Sequence, residues 1–271
     1  SVPSCHLCAM LLTVPSDLSR TWAMRCTTVI LPLLGGCVFV PGSLGPALEP
    51  VDLAPAAQAF ELALPHQALA LLDDPALWLP GDADCPVVSV GPDGLERWQG
   101  GCALADGAMV FGSLERFVGP ERAWVAGERL QVVDATGSTL LYLDGAVEQE
   151  LAGELVSIGA SFTACGIERP CARGPATVDL ALSLFPISGY PVHYDLAVEG
   201  VVAAADLEPT SVGGTVSIDL HACAVEPASG SLLLDGDAPW GLDFDGASAC
   251  DACAATAFDG LPLGLGCEDW L

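Results

Sequence analysis

Apolar and polar side chains alternate one by one through much of the second half of the chain. Val178, Leu180, Leu182 and Leu184 are interleaved with Thr177, Asp179, Ala181 and Ser183. Val192, Tyr194, Leu196 and Val198 are interleaved with His193, Asp195, Ala197 and Glu199. Val216, Ile218 and Leu220 follow the same rule among Thr215, Ser217, Asp219 and His221, as do Val156, Ile158, Ala160 and Phe162. A period of two sends successive side chains to opposite faces, so these segments predict antiparallel strands with one buried and one wet face. Breaks rich in Gly or Pro are expected to separate the strands: Gly119-Pro120, Thr136-Gly137-Ser138, Gly174-Pro175 and Val212-Gly213-Gly214. The expected fold is mainly β, with roughly ten or more strands in an antiparallel sheet, sandwich or solenoid over residues 85–271.

Upstream the pattern changes. Residues 56–84 contain AAQAFELAL and HQALALLDDPALW, whose Ala/Leu content and spacing predict one or two short helices. Pro65 separates them and Pro80-Gly81-Asp82 is expected to stop them. Residues 37–55, rich in Pro and Gly, read as a tether.

Before the tether lies an apolar run of a different kind. Met24-Arg25 forms a short basic start, and Cys26 to Leu34 is apolar but too short to span a bilayer. Leu34-Gly35-Gly36-Cys37 then resembles the lipobox of bacterial lipoproteins, a Leu and two small residues before an invariant Cys. The resemblance, carried by residues 24–37, implies a signal peptide over 24–36 and lipidation of Cys37. Several acyl chains, each CH₂ contributing about 0.8 kcal/mol, would anchor such a protein firmly. Val38 rather than Asp follows the Cys, which in that family implies the outer membrane. Residues 1–23 are expected to precede the true start, and Cys5-His6-Leu7-Cys8 within them looks like half a metal site without its second half.

Charge narrows the partners. The chain has 271 residues and a formal net charge of −27, with 35 acidic residues against 8 basic ones, every one Arg. Such a surface repels nucleic acid and favours a cationic partner or divalent ions. An outer-membrane barrel also alternates. Aromatic content of only 6%, no girdles and eight cysteines beyond Cys37 count against it.

Those eight cysteines are 85, 102, 165, 171, 223, 250, 253 and 267. An even number in an exported chain reads as disulfides, and proximity suggests 85–102, 165–171, 223–250 and 253–267. The rival reading is zinc at Cys250-Asp251-Ala252-Cys253. Cys85-Pro86, Gly101-Cys102, Asp106-Gly107 and the Cys-rich close at Cys250, Cys253 and Cys267 resemble uncharacterised bacterial surface lipoproteins, a resemblance that implies no activity.

No nucleophile elbow, HExxH, P-loop or dinucleotide fingerprint occurs in the sequence, and no catalytic residue is assigned. Glu148 and Glu150 could project from one strand face as a glycosidase pair, or be solvated edge carboxylates. Two sets suggest a divalent metal. If strands around Leu207 form a hairpin, His193 opposes His221 and Asp195 opposes Asp219, a set suited to zinc. If residues 238–242 form a hairpin loop, Asp235 opposes Asp245 and Asp237 opposes Asp243, a set suited to calcium. The function expected is an exported, lipid-anchored surface protein of the cell envelope that binds or shapes rather than catalyses. The alternative is an exported hydrolase, with or without a metal, with its site on the polar sheet face. The partner beyond the membrane, a protein or a glycan, is not specified by any motif.

Overall fold

The computed structural model describes residues 52–236, 239–268 and 270–271. The described chain opens with two helices, α1 (Ala54–Ala63) and α2 (His66–Leu72). The Asp52 carboxylate accepts a hydrogen bond from the Ala54 N–H at 3.0 Å, and Pro55 sits in the first turn, where its missing N–H costs nothing. Pro65 divides the helices. α1 starts two residues inside the segment assigned to the tether, and α2 ends at Asp73-Asp74-Pro75, before Pro80-Gly81. Ala56, Ala59, Phe60 and Ala63 recur at helical spacing and are all buried.

Fourteen strands follow: β1 (Val87–Val90), β2 (Glu96–Gln99), β3 (Cys102–Ala103), β4 (Met109–Val118), β5 (Arg122–Val133), β6 (Thr139–Ala152) and β7 (Leu155–Cys165), then β8 (Ala176–Phe185), β9 (His193–Ala204), β10 (Leu207–Asp219), β11 (Ser229–Asp235), β12 (Pro239–Phe244), β13 (Cys253–Phe258) and β14 (Leu261–Cys267). They form one antiparallel sheet in which each strand pairs with the next along the chain. The exception is the two-residue β3, which pairs only with β4 and leaves β2 beside β4. Of the three expected arrangements the single sheet is the one observed. It is open, with β1 and β14 at its two ends.

One face of this sheet is the core. β7 and β8 alternate exposed and buried along almost their whole length, as their sequences require. α1 packs over β8, β9 and β10, and α2 over β5 and β6, so the helices cover the apolar face of these strands. Arg169, only 4% exposed in the loop after β7, donates to Asp206 in the β9–β10 turn at 3.1 Å, and Asp206 also accepts from Gln58 of α1 at 2.6 Å. That chain of contacts ties helix to sheet.

The expected break at Val212-Gly213-Gly214 is a correction: these residues lie inside β10. Gly214 sits on the apolar face at φ +146°, and Gly200 of the neighbouring β9 matches it at φ +147°. A Cβ at Gly200 would stand 2.1 Å from the Asp179 carbonyl oxygen, so the missing side chain is what lets β8 and β9 coil tightly there.

All four disulfides join the pairs that proximity suggests: Cys85–Cys102, Cys165–Cys171, Cys223–Cys250 and Cys253–Cys267. Cys250 and Cys253 take different partners, which corrects the zinc reading of that motif. Each bridge closes a loop of 6 to 27 residues and so contributes roughly 2–4 kcal/mol.

Candidate functional site

The outer face of the sheet holds most of the polar side chains singled out from the sequence. β9 and β10 are adjacent, as the zinc set requires, but their register differs from the expected one by two residues. His193 opposes Asp219 and Asp195 opposes Ser217. The cause is local. The turn occupies only Ala205 and Asp206, and one bulge between Leu207 and Thr210 sets the rest of the ladder. A slip of two keeps every apolar residue on the buried face, so the alternation alone cannot exclude it.

His193 Nδ1 lies 3.5 Å from Asp219 Oδ2. His221 has left the strand, and its N–H donates to Asp219 Oδ1 at 3.0 Å, with the Ala222 N–H at 3.3 Å. Desolvation pushes the Asp219 carboxyl up, but these N–H groups and the two imidazoles outweigh it and hold it below its ordinary value. Asp219 is thus engaged in closing a turn, and His193, Asp195, Asp219 and His221 do not converge.

The aspartate set also comes apart. Residues 239–244 are the strand β12 rather than a loop, because Trp240, Leu242 and Phe244 alternate inward. Asp235 therefore opposes Pro239, and Asp243 opposes Ser231. Asp245 lies beyond the strand, where Ser248 Oγ reaches its backbone carbonyl at 3.0 Å, and Asp237 lies outside the described residues. Among the described residues no three His, Cys, Asp or Glu side chains stand close enough to share an ion. Glu148 pairs with Arg122 across the β5–β6 ladder, and Glu150 opposes Arg122 in register, which makes them solvated partners of a cation on an open face.

Two features had no signal in the sequence. The first is an open groove of about 760 Å³ beside α2, lined by His66, Leu69, Arg116, Glu168, Ile187 and Tyr190 among others. Burial lowers the His66 pKa against the pull of Glu168 and Glu61, and burial with the charges of Glu168 and Asp73 raises that of Tyr190. Both are neutral near pH 7. Arg116 is already held by Glu96 at 3.1 Å and donates to the Leu72 carbonyl at 3.4 Å. No serine, threonine or cysteine lines the groove, so beside the neutral His66 the one hydroxyl it holds is the phenol of Tyr190.

The second is Glu226, 0% exposed between the Cys223–Cys250 bridge and Cys253. Its Oε1 accepts from the Asp251 N–H at 3.3 Å, while Oε2 is buried with no partner. Burial raises its pKa and Asp251 and Asp245 add to the rise. A carboxyl raised on folding supports the fold while protonated and withdraws that support as pH climbs through the raised value. Glu226→Gln keeps the shape and removes the charge. The variant should exceed the wild type in urea midpoint at pH 7–8, and the gap should close as pH falls toward the ordinary carboxylate value of 4.5. A gap that ignores pH would contradict the buried-charge account.

The residues predicted from the sequence are therefore spread over the polar face and the turns beside it without forming a centre. Comparison with protein-family models, with curated proteins and with solved structures finds no match for the chain.

Proposed function

We propose that the chain is an exported protein of the cell envelope, lipid-anchored to the outer membrane through Cys37, that binds a partner or shapes the surface without catalysing a reaction. The observation that carries this reading is the pairing of all eight cysteines after Cys37 into four bridges within one sheet domain. Such a bridge density belongs to an oxidising compartment, where a protein must hold its shape outside the cytosol. The lipobox-like Leu34-Gly35-Gly36-Cys37 lies outside the described residues and supplies the means of attachment. A sheet with helices on its apolar face leaves its other face and its ends for contact, and an open polar face is suited to recognition rather than to excluding water from a reaction.

The test is lipidation. Expressed in a bacterial host, the full chain should incorporate labelled palmitate and fractionate with membranes. Cys37→Ser should abolish the label and release the protein. A soluble, unlabelled wild type would end this reading.

A further inference from the structure

β14 ends the sheet and, among the described residues, is hydrogen-bonded on one side only, to β13. An open edge is normally blunted by Lys, by Pro or by a bulge. Here the chain has no Lys at all, and Pro262 and the bulge between Thr256 and Ala257 affect only the beginning of the strand. Past them Leu265 is 69% exposed and Leu263, at the bulge, is exposed too, whereas Leu261 precedes Pro262 and opposes Phe258. On the outer face Leu265 opposes Ala255, and the next residue inward across the ladder is Asp243.

The described residues that flank this strip in sequence carry charge of one sign. After Arg173 the sequence contains no Lys or Arg, while 15 Asp and Glu follow. Asp259 sits at the turn before β14 and Glu268 immediately after it, so the exposed leucines lie between two carboxylates, with Asp243 beside them on the outer face. The same charge argues against a second copy as the occupant, because both would bring carboxylates to the contact.

We infer that the β14 edge is a docking site for an extended polypeptide segment with an apolar centre and basic ends, which adds as a fifteenth strand. The main chain of β14 supplies the hydrogen bonds, Leu263 and Leu265 take the apolar side chains, and Asp259 and Glu268 take the cations. The inference rests on the reading of the protein as a binding rather than a catalytic one and names the partner's chemistry.

The probe is a synthetic peptide, acetyl-Lys-Val-Thr-Val-Thr-Val-Lys-amide, titrated into the full chain at low salt, with a control peptide in which both Lys are Glu. The Lys peptide should bind and should slow amide exchange in β14 but not in β1. The Glu peptide should not bind. Leu265→Asn and, separately, Leu263→Asn change exposed positions of β14 itself and leave the thermal transition in place, and each should weaken binding by about tenfold. Binding of both peptides alike, protection at β1, indifference to both substitutions, or self-association of the wild type that Leu265→Asn abolishes would overturn the inference. Palmitate labelling is read separately, so a chain that is lipidated but ignores the peptide loses this strip and keeps its place in the envelope.

Discussion

Gly200→Ala should lower the stability of the domain by about 3 kcal/mol or more, the sum of a strained backbone and an overpacked strand contact. At φ +147° an L-residue is strained whatever room it has, and here there is none. The new Cβ would meet the Asp179 carbonyl oxygen at 2.1 Å and the Leu180 Cα at 2.8 Å, both backbone atoms that cannot rotate away. Relief requires β8 and β9 to separate, and those strands lie directly beneath α1. For a domain of this size the melting temperature should fall by roughly 6–12 °C. Gly213→Ala is the matched control. That glycine is on the outer face of β10 and a Cβ there meets nothing within 4 Å. Equal effects at the two positions would show that the inward glycines do not set the coil of the sheet.

The same glycines explain where the sequence was readable and where it was not. The strands β7 to β10 are legible where apolar residues recur at every second position, over 156–162, 178–184, 192–198 and 216–220. Gly213-Gly214 reads as a turn because, in a sequence, a glycine that bends a strand and one that ends it look alike. β12 is hidden for a related reason. Pro239 and Gly241 flank Trp240 and imitate loop chemistry, although Trp240, Leu242 and Phe244 keep the strand period.

Pairing shows the opposite behaviour for disulfides and for metal ligands. In a meander every strand lies beside its sequence neighbour, so cysteines near in sequence are near in space, and proximity alone suggests all four bridges. A metal site needs registration to the residue, and a two-residue turn with one bulge is enough to part His193 from His221. Glu226 could not be found from the sequence at all. Its burial arises only when the loop after β10 is bridged to the loop after β12, a tertiary closure that leaves no local pattern.

Phe60→Ala should cost about 3–5 kcal/mol, the largest single loss expected from a side chain in the helices. Phe60 is 1% exposed and its ring centroid lies 5.4 Å from that of Phe244 in β12 and 6.0 Å from that of Trp270 near the C-terminus. Phe244 and Trp270 complete the triangle at 5.5 Å, edge to face. Each such pair adds about 0.5–1.5 kcal/mol beyond the area it buries, so truncation removes two favourable geometries together with the ring. The cavity is hard to close, because its walls belong to a helix, a strand and a tail held by the Trp270 N–H to the Val225 carbonyl at 3.0 Å. Phe60→Leu retains most of the volume and should lose less than half as much. Urea denaturation with tryptophan emission as the signal measures both, and the alanine variant should also speed amide exchange in β12, since α1 no longer clamps that strand. A loss below about 1 kcal/mol for Phe60→Ala would mean that α1 rests on the sheet without sharing its core.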